Sequence, residues 1–259
     1  MSPPAKRSLV ILYGIGGLSD VGRHAILAAL EKPEVSKITV ITEHPEKLDE
    51  KKWESHGEKS NPFNNPEFAP RLTMVKVEGS WKKPQDNFAT HFAGADAVIS
   101  CLGHRQPGIQ NKELLKKGLI ACDGNKQVIQ AMKEAKVERA VVISSMGLKG
   151  DDGAWPHWAA KVLKYMLKTV ARKARKDLEA MEALYLESPL DYLFVRPVGI
   201  SEEREPVGTY FVQDPGNKKE VVGGDTAKID VARFMVEQAL NPTFHKTSKV
   251  VGSEPGSPM

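Results

Sequence analysis

The chain has 259 residues, 41% hydrophobic and 27% charged, with two cysteines and 37 basic against 33 acidic side chains. That composition excludes a disordered chain, a collagen-like fibre and a disulfide-stapled scaffold, and a net charge of +4 is too small to argue for nucleic acid. No apolar run reaches the roughly 18 residues a membrane-spanning helix needs, and two cysteines suit a reducing compartment, so a soluble, cytoplasmic protein with its own large core is expected.

The first element is a continuously apolar, partly β-branched run at 8–13 (SLVILY), which suits a strand buried on both faces. Glycines follow directly, and residues 21–30 read as a helix with Ala25, Ile26, Ala29 and Leu30 on one face. Strands are expected at 37–42, 72–77, 97–102, 140–144 and 191–195, with a last short one at 249–251. Helices are expected at 118–135, 158–187 and 229–240. Strands alternating with helices imply right-handed crossovers. The fold class expected is therefore α/β: a Rossmann-type, doubly wound, mostly parallel sheet with helices on both faces. One domain is expected over 1–252, with a small substrate-side region at 197–228. The polar stretch 50–70, carrying Pro62, Pro66 and Pro70, reads as an insertion loop, and 253–259 as a disordered tail.

The stretch from Gly14 to Gly22 (GIGGLSDVG) lies between the first strand and the first helix. Glycines there let the backbone approach a ligand, and the helix N-terminus offers unpaired N–H groups to a pyrophosphate. This is where a dinucleotide-binding fingerprint belongs.

Gly14-Ile15-Gly16-Gly17 with Val21-Gly22-Arg23 resembles the glycine loop of the atypical short-chain dehydrogenases, and among them the NmrA-like proteins and the biliverdin-IXβ/flavin reductases. Gly94 to Ser100, Arg139 to Gly147, Ser188-Pro189-Leu190-Asp191-Tyr192 with Val195-Arg196-Pro197, and Ile229-Asp230-Val231-Ala232 resemble later segments of that group in the same order. The resemblance implies an NAD(P)(H) cofactor held by Gly14, Gly16, Gly17, Gly22, Arg23, Glu43, Leu102, Gly103 and Ser144. It departs in several places. The loop is longer between Gly17 and Gly22, and Gly79-Ser80 stands where the group has Gly-Asp against the adenine.

The choice between NAD and NADP is open. The related reductases place an arginine, which meets a 2′-phosphate, where this chain has Glu43. A carboxylate there accepts hydrogen bonds from a ribose 2′-hydroxyl and repels a phosphate. Arg23, His44 and Lys47 are within reach of consideration for the phosphate, so Glu43 only tilts the balance to NAD.

Ordinary members of the wider family use Tyr-x-x-x-Lys for proton transfer. Here Tyr165 is followed four residues on by Thr169, and Tyr185 by Pro189, so the pair is absent. That suits hydride transfer to a flat, electron-poor acceptor such as a flavin, quinone, tetrapyrrole or enone, which needs little help from side chains. It equally suits a non-catalytic dinucleotide sensor or a scaffold that has lost its cofactor. The catalytic candidates sit at the carboxyl ends of strands: His104 as a proton donor, and Ser145, which the resemblance places beside the nicotinamide. Cys101 reads as an inert buried thiol and Arg196 as a locally paired structural residue. The seven histidines show no metal-ligand spacing. The expected partner is a small-molecule substrate. The basic segment 161–176 reads as an amphipathic helix, either a solvated face or a docking surface for an acidic partner or membrane.

Overall fold

The computed structural model describes residues 5–14, 20–45, 61–103, 120–148, 150, 165, 169, 172–201, 207–216, 222–224 and 226–255. In chain order they form β1 (Arg7–Tyr13), α1 (Val21–Leu30), β2 (Val35–Thr42), β3 (Leu72–Lys76), β4 (Ala97–Cys101), α2 (Ala121–Ala135), β5 (Arg139–Ile143), α3 (Arg172–Leu186), β6 (Asp191–Pro197), β7 (Ile200–Ser201), β8 (Phe211–Gln213), β9 (Thr226–Ala227), α4 (Lys228–Leu240) and β10 (Thr247–Gly252). The main sheet has the order β3-β2-β1-β4-β5-β6-β10-β8. Its neighbours are parallel except β10 and β8, which pair antiparallel. This is a Rossmann-type, doubly wound sheet.

The apolar runs explain the layering. β4 and β5 are buried at every residue, as strands covered on both faces must be. Alternate side chains divide between two cores. Leu9, Ile11, Val40 and Ile99 face α1 and α4, whereas Val10, Leu12, Val98, Val142 and Phe194 face α2 and α3. All ten residues of α1 are buried, because α4 covers the side turned away from the sheet.

The short strands β7, β8 and β9 have too few residues to show a period in the sequence. β8 protects the β10 edge, a recognised need of open sheets. The expected insertion loop is structured at its end: Asn61 caps the turn at Pro62–Asn64 through Phe63 N at 3.0 Å. Arg71 donates to the carbonyls of Ala29, Leu30 and Lys32 at and just past the end of α1. Just past residue 252, Ser253 is buried and bridges Gly223. A Cβ on Gly252 would lie 2.6 Å from Gly223 O, so this approach needs glycine. Most of the basic segment 161–171 lies outside the described residues; Tyr165 and Thr169 are helical, and Arg172 to Lys176 open α3.

Candidate dinucleotide site at the carboxyl edge of the sheet

The strand order reverses between β1 and β4, and open α/β sheets bind ligands at the carboxyl ends of strands at such a switch point. Tyr13 pairs with Cys101 there, so Gly14 and Leu102 leave the sheet side by side, buried together with Gly103. Gly22 enters α1 where no side chain fits. A Cβ would stand 2.9 Å from Tyr13 Cδ2 and 3.1 Å from Cys101 Cβ. The missing side chain lets α1 lie against β1 and β4 and brings its N-terminus to the sheet edge, the arrangement a pyrophosphate requires. The residues present therefore fit a dinucleotide. Gly16, Gly17 and His104 lie outside the described residues.

At the end of β2, Glu43 Oε1 accepts from Trp81 N at 2.7 Å, and Oε2 lies 3.8 Å from His44 Nε2. This ties the ends of β2 and β3 together and fixes the carboxylate. Trp81 is fully buried against Gly124 and Leu102, and its indole Nε1 has no hydrogen-bond partner among the described residues. Arg23 is turned the other way. Its guanidinium is buried beside Asp20 Oδ2 at 3.4 Å and His24 Nε2 at 3.5 Å, so contact with a 2′-phosphate would require it to leave that position. Asp20 also accepts from Lys228 Nζ at 2.8 Å, which joins the start of α1 to the start of α4.

The two serines after β5 part company. Ser144 is fully buried, and its Oγ donates to Glu182 Oε1 at 2.7 Å. Glu182 in turn accepts from Arg196 Nε at 3.0 Å and from Nη2 at 2.6 Å. The Ser144 hydroxyl, expected among the cofactor contacts, is thus engaged with a buried carboxylate. Ser145 is half-buried and among the described residues bonds only locally, donating to Met146 O at 3.0 Å, which leaves it the better placed of the two for a ligand. Arg196 pairs locally as expected, and burial pushes the Cys101 thiol up, consistent with an inert residue.

Below this edge a second polar cluster crosses the core. Asn125 Oδ1 accepts from Ser100 Oγ at 2.7 Å and from Tyr185 OH at 2.8 Å, while its Nδ2 donates to Ala121 O at 2.8 Å. Asp177 accepts from the backbone N–H groups of Ala121 and Cys122 and so caps α2. Sequence reasoning assigned no role to Glu182, Asn125, Asp177, Asp20 or Lys228. One signal was present for Glu182: it stands on the helix face of Leu178 and Tyr185, where a carboxylate needs a buried partner. Among the described residues no group of His, Cys, Asp and Glu is arranged to hold a metal.

Such a switch point with its tightly packed first helix defines a dinucleotide-binding α/β protein. A family model described as NAD(P)H-binding matches residues 16–242, and the chain belongs to that family. No curated protein matches it in sequence. Among solved structures, the fold is shared with a short-chain dehydrogenase/reductase (wide type) from Veillonella parvula in complex with NADP. The TM-score is 0.67 at 16% identity, covering 98% of this chain and 97% of that one. A Rossmann-fold NAD(P)-binding family protein from Shigella flexneri matches with TM-score 0.61, 16% identity and coverage of 98% and 96%. An oxidoreductase from Lactococcus lactis matches with TM-score 0.59, 16% identity and coverage of 97% and 92%.

Proposed function

We propose that the protein is an oxidoreductase of the NmrA-like and flavin-reductase type, working in the cytoplasm, that prefers NADH and passes its hydride to a small planar acceptor. The observation that carries this reading is the carboxyl edge itself. Gly22 lets α1 pack against the sheet edge, Glu43 is fixed at the end of β2, and Ser145 remains half-exposed at the end of β5. A bound nicotinamide dinucleotide supplies the hydride. The chain's own part is to bind and orient. The first turn of α1 faces the phosphates, and Leu102 and Gly103 line the strand ends. The second oxygen of Glu43 accepts from a ribose 2′-hydroxyl. Ser145 Oγ holds or passes a proton at the acceptor, with His104 the second candidate donor. The absent Tyr-x-x-x-Lys pair is compatible with an acceptor that needs little acid catalysis.

Preference for NADH rests on Glu43. Its carboxylate is held by Trp81 N, so a 2′-phosphate would meet a fixed negative charge, and unpaired like charges at interfaces cost several kcal/mol. NADP in the Veillonella protein weighs the other way. The test is a fluorescence titration with NADH and NADPH. NADH should bind at least tenfold more tightly, about 1.4 kcal/mol, and Glu43→Arg should reverse the order. A wild type that prefers NADPH, with a variant that shifts nothing, would remove Glu43 from the ribose. Stopped-flow oxidation of the bound cofactor by flavin, quinone, tetrapyrrole and enone acceptors tests turnover. The absent catalytic pair favours a second reading, a dinucleotide sensor, and binding without oxidation by any of these acceptors would support it.

A further inference from the structure

A groove beside α3 is used by none of the cofactor contacts above. Its floor is β6 and the start of β10, its wall is α3, and its upper end is the turn at Gly147 and Leu148 that follows Ser145. It encloses about 680 Å³, in the range of small-molecule sites. On the floor, Tyr192 and Phe194 stack with centroids 4.7 Å apart and planes 26° from parallel. In the wall, Arg175 pairs with Glu179 at 3.1 Å and Arg196 with Glu182 at 2.6 Å, so these four charges offset one another.

What is left over is a surplus of donors. Lys246 lines the lower end, is exposed, and enters no ion pair among the described residues. Its backbone has φ 47°, a left-handed conformation that is uncommon for lysine. That conformation is held from both sides: His245 before it bonds Asp191 at 2.8 Å, and β10 follows. Arg175 Nε is buried without a hydrogen-bond partner among the described residues. Tyr192 and Ser248 line the same groove, and their hydroxyls have no acceptor among the described residues. Burial and the nearby Glu182 carboxylate raise the Tyr192 pKa, so its hydroxyl keeps its proton and stays a donor. One unpaired cation with several unmet donors is the chemistry that receives an oxyanion. The distance matters too. From Tyr192 to Arg196 is four residues of strand, about 13 Å at about 3.3 Å per residue, the length of two or three fused rings bearing a carboxylate.

We propose that this groove seats the hydride acceptor, and that the acceptor is a planar organic acid of two or three fused rings. Its carboxylate lies toward Lys246 and its reducible end toward the turn at Gly147 and Leu148. Naming the occupant as acceptor rests on the oxidoreductase reading; the binding itself does not. The test is calorimetric titration of the full chain with 2-naphthoate, using neutral 2-naphthylmethanol as the control. Saturable binding is expected for the acid, at least tenfold tighter than for the alcohol. Lys246→Glu should lose at least tenfold, and Ser248→Trp, which fills the floor, should abolish binding, with NADH affinity and melting temperature unchanged in both. Equal affinity for the two probes, or wild-type affinity in both variants, overturns the site. During turnover 2-naphthoate should inhibit competitively with the acceptor, and any other pattern overturns the assignment to the acceptor. A wild type that binds no nicotinamide dinucleotide sinks the oxidoreductase reading instead, while the calorimetry still decides the groove.

Discussion

Replacing Gly22 by alanine separates what α1 contributes to stability from what it contributes to binding. Alanine in a helix interior is favoured over glycine by about 1 kcal/mol from backbone propensity. Against that, the new methyl would lie 2.9 Å from Tyr13 Cδ2 and 3.1 Å from Cys101 Cβ. The Cys101 contact belongs to a strand in the middle of the sheet and cannot yield, so α1 must move outward by a few tenths of an ångström or the Tyr13 ring must turn. Overpacking of this kind costs about 1–3 kcal/mol, so the net loss expected is about 1 kcal/mol. For a chain of this size that is a fall in Tm of roughly 2–4 °C. Binding should suffer more. Tyr13 OH lies 3.4 Å from Asp20 Oδ1, so a shift of ring or helix is transmitted to the foot of the glycine loop. NADH affinity should fall at least tenfold, about 1.4 kcal/mol. Thermal melting and fluorescence titration of the same preparation measure both effects. A Gly22→Ala protein that melts at or above the wild-type temperature and binds NADH unchanged would refute the reasoning.

Glu182→Leu strips Arg196 of two bonds in the core and should cost about 3–5 kcal/mol by urea unfolding, whereas the double change with Arg196→Leu should recover most of that loss. A double variant as unstable as the single would show that the ion pair is not the cause. Tyr185→Phe removes one of two donors to Asn125 and should cost about 1 kcal/mol at neutral pH. Burial raises the Tyr185 pKa above its unfolded value of 10.0, so this stability is present below that pH and lost as pH rises beyond it; the variant should show a shallower alkaline loss in urea midpoints. Ser144→Ala should lower stability by about 1 kcal/mol with NADH affinity unchanged, whereas Ser145→Ala should lower the rate of hydride transfer with stability unchanged. The reverse pattern would exchange their roles.

Element order was legible because periodicity is a local property. The helix read at 21–30 from Ala25, Ile26, Ala29 and Leu30 is α1 over the same residues, and the apolar runs at 97–102 and 140–144 appear as the fully buried β4 and β5. The parallel sheet followed from alternation, and the glycine loop from its position after β1. Gly22 could be named from the sequence, but its reason could not: the side chain it lacks would strike Tyr13 and Cys101, and Cys101 is brought there only by the pairing of β1 with β4.

Partnership between distant residues was decided by the tertiary structure alone. Glu43 was legible as the residue after β2, yet the donor that fixes its carboxylate is Trp81 N, on a loop that β3 carries to the same edge. Ser144 and Ser145 are neighbours of identical chemistry. What distinguishes them is that one points into the core at Glu182, 38 residues on, and the other does not. Lys228 meets Asp20 across 208 residues because α1 and α4 pack on one face of the sheet. Hydrophobic pattern places a residue on a strand or a helix, since the period belongs to neighbours in the chain. A buried polar group is satisfied by whatever the fold sets within about 3 Å of it, and that identity is carried by the packing of elements rather than by any one of them.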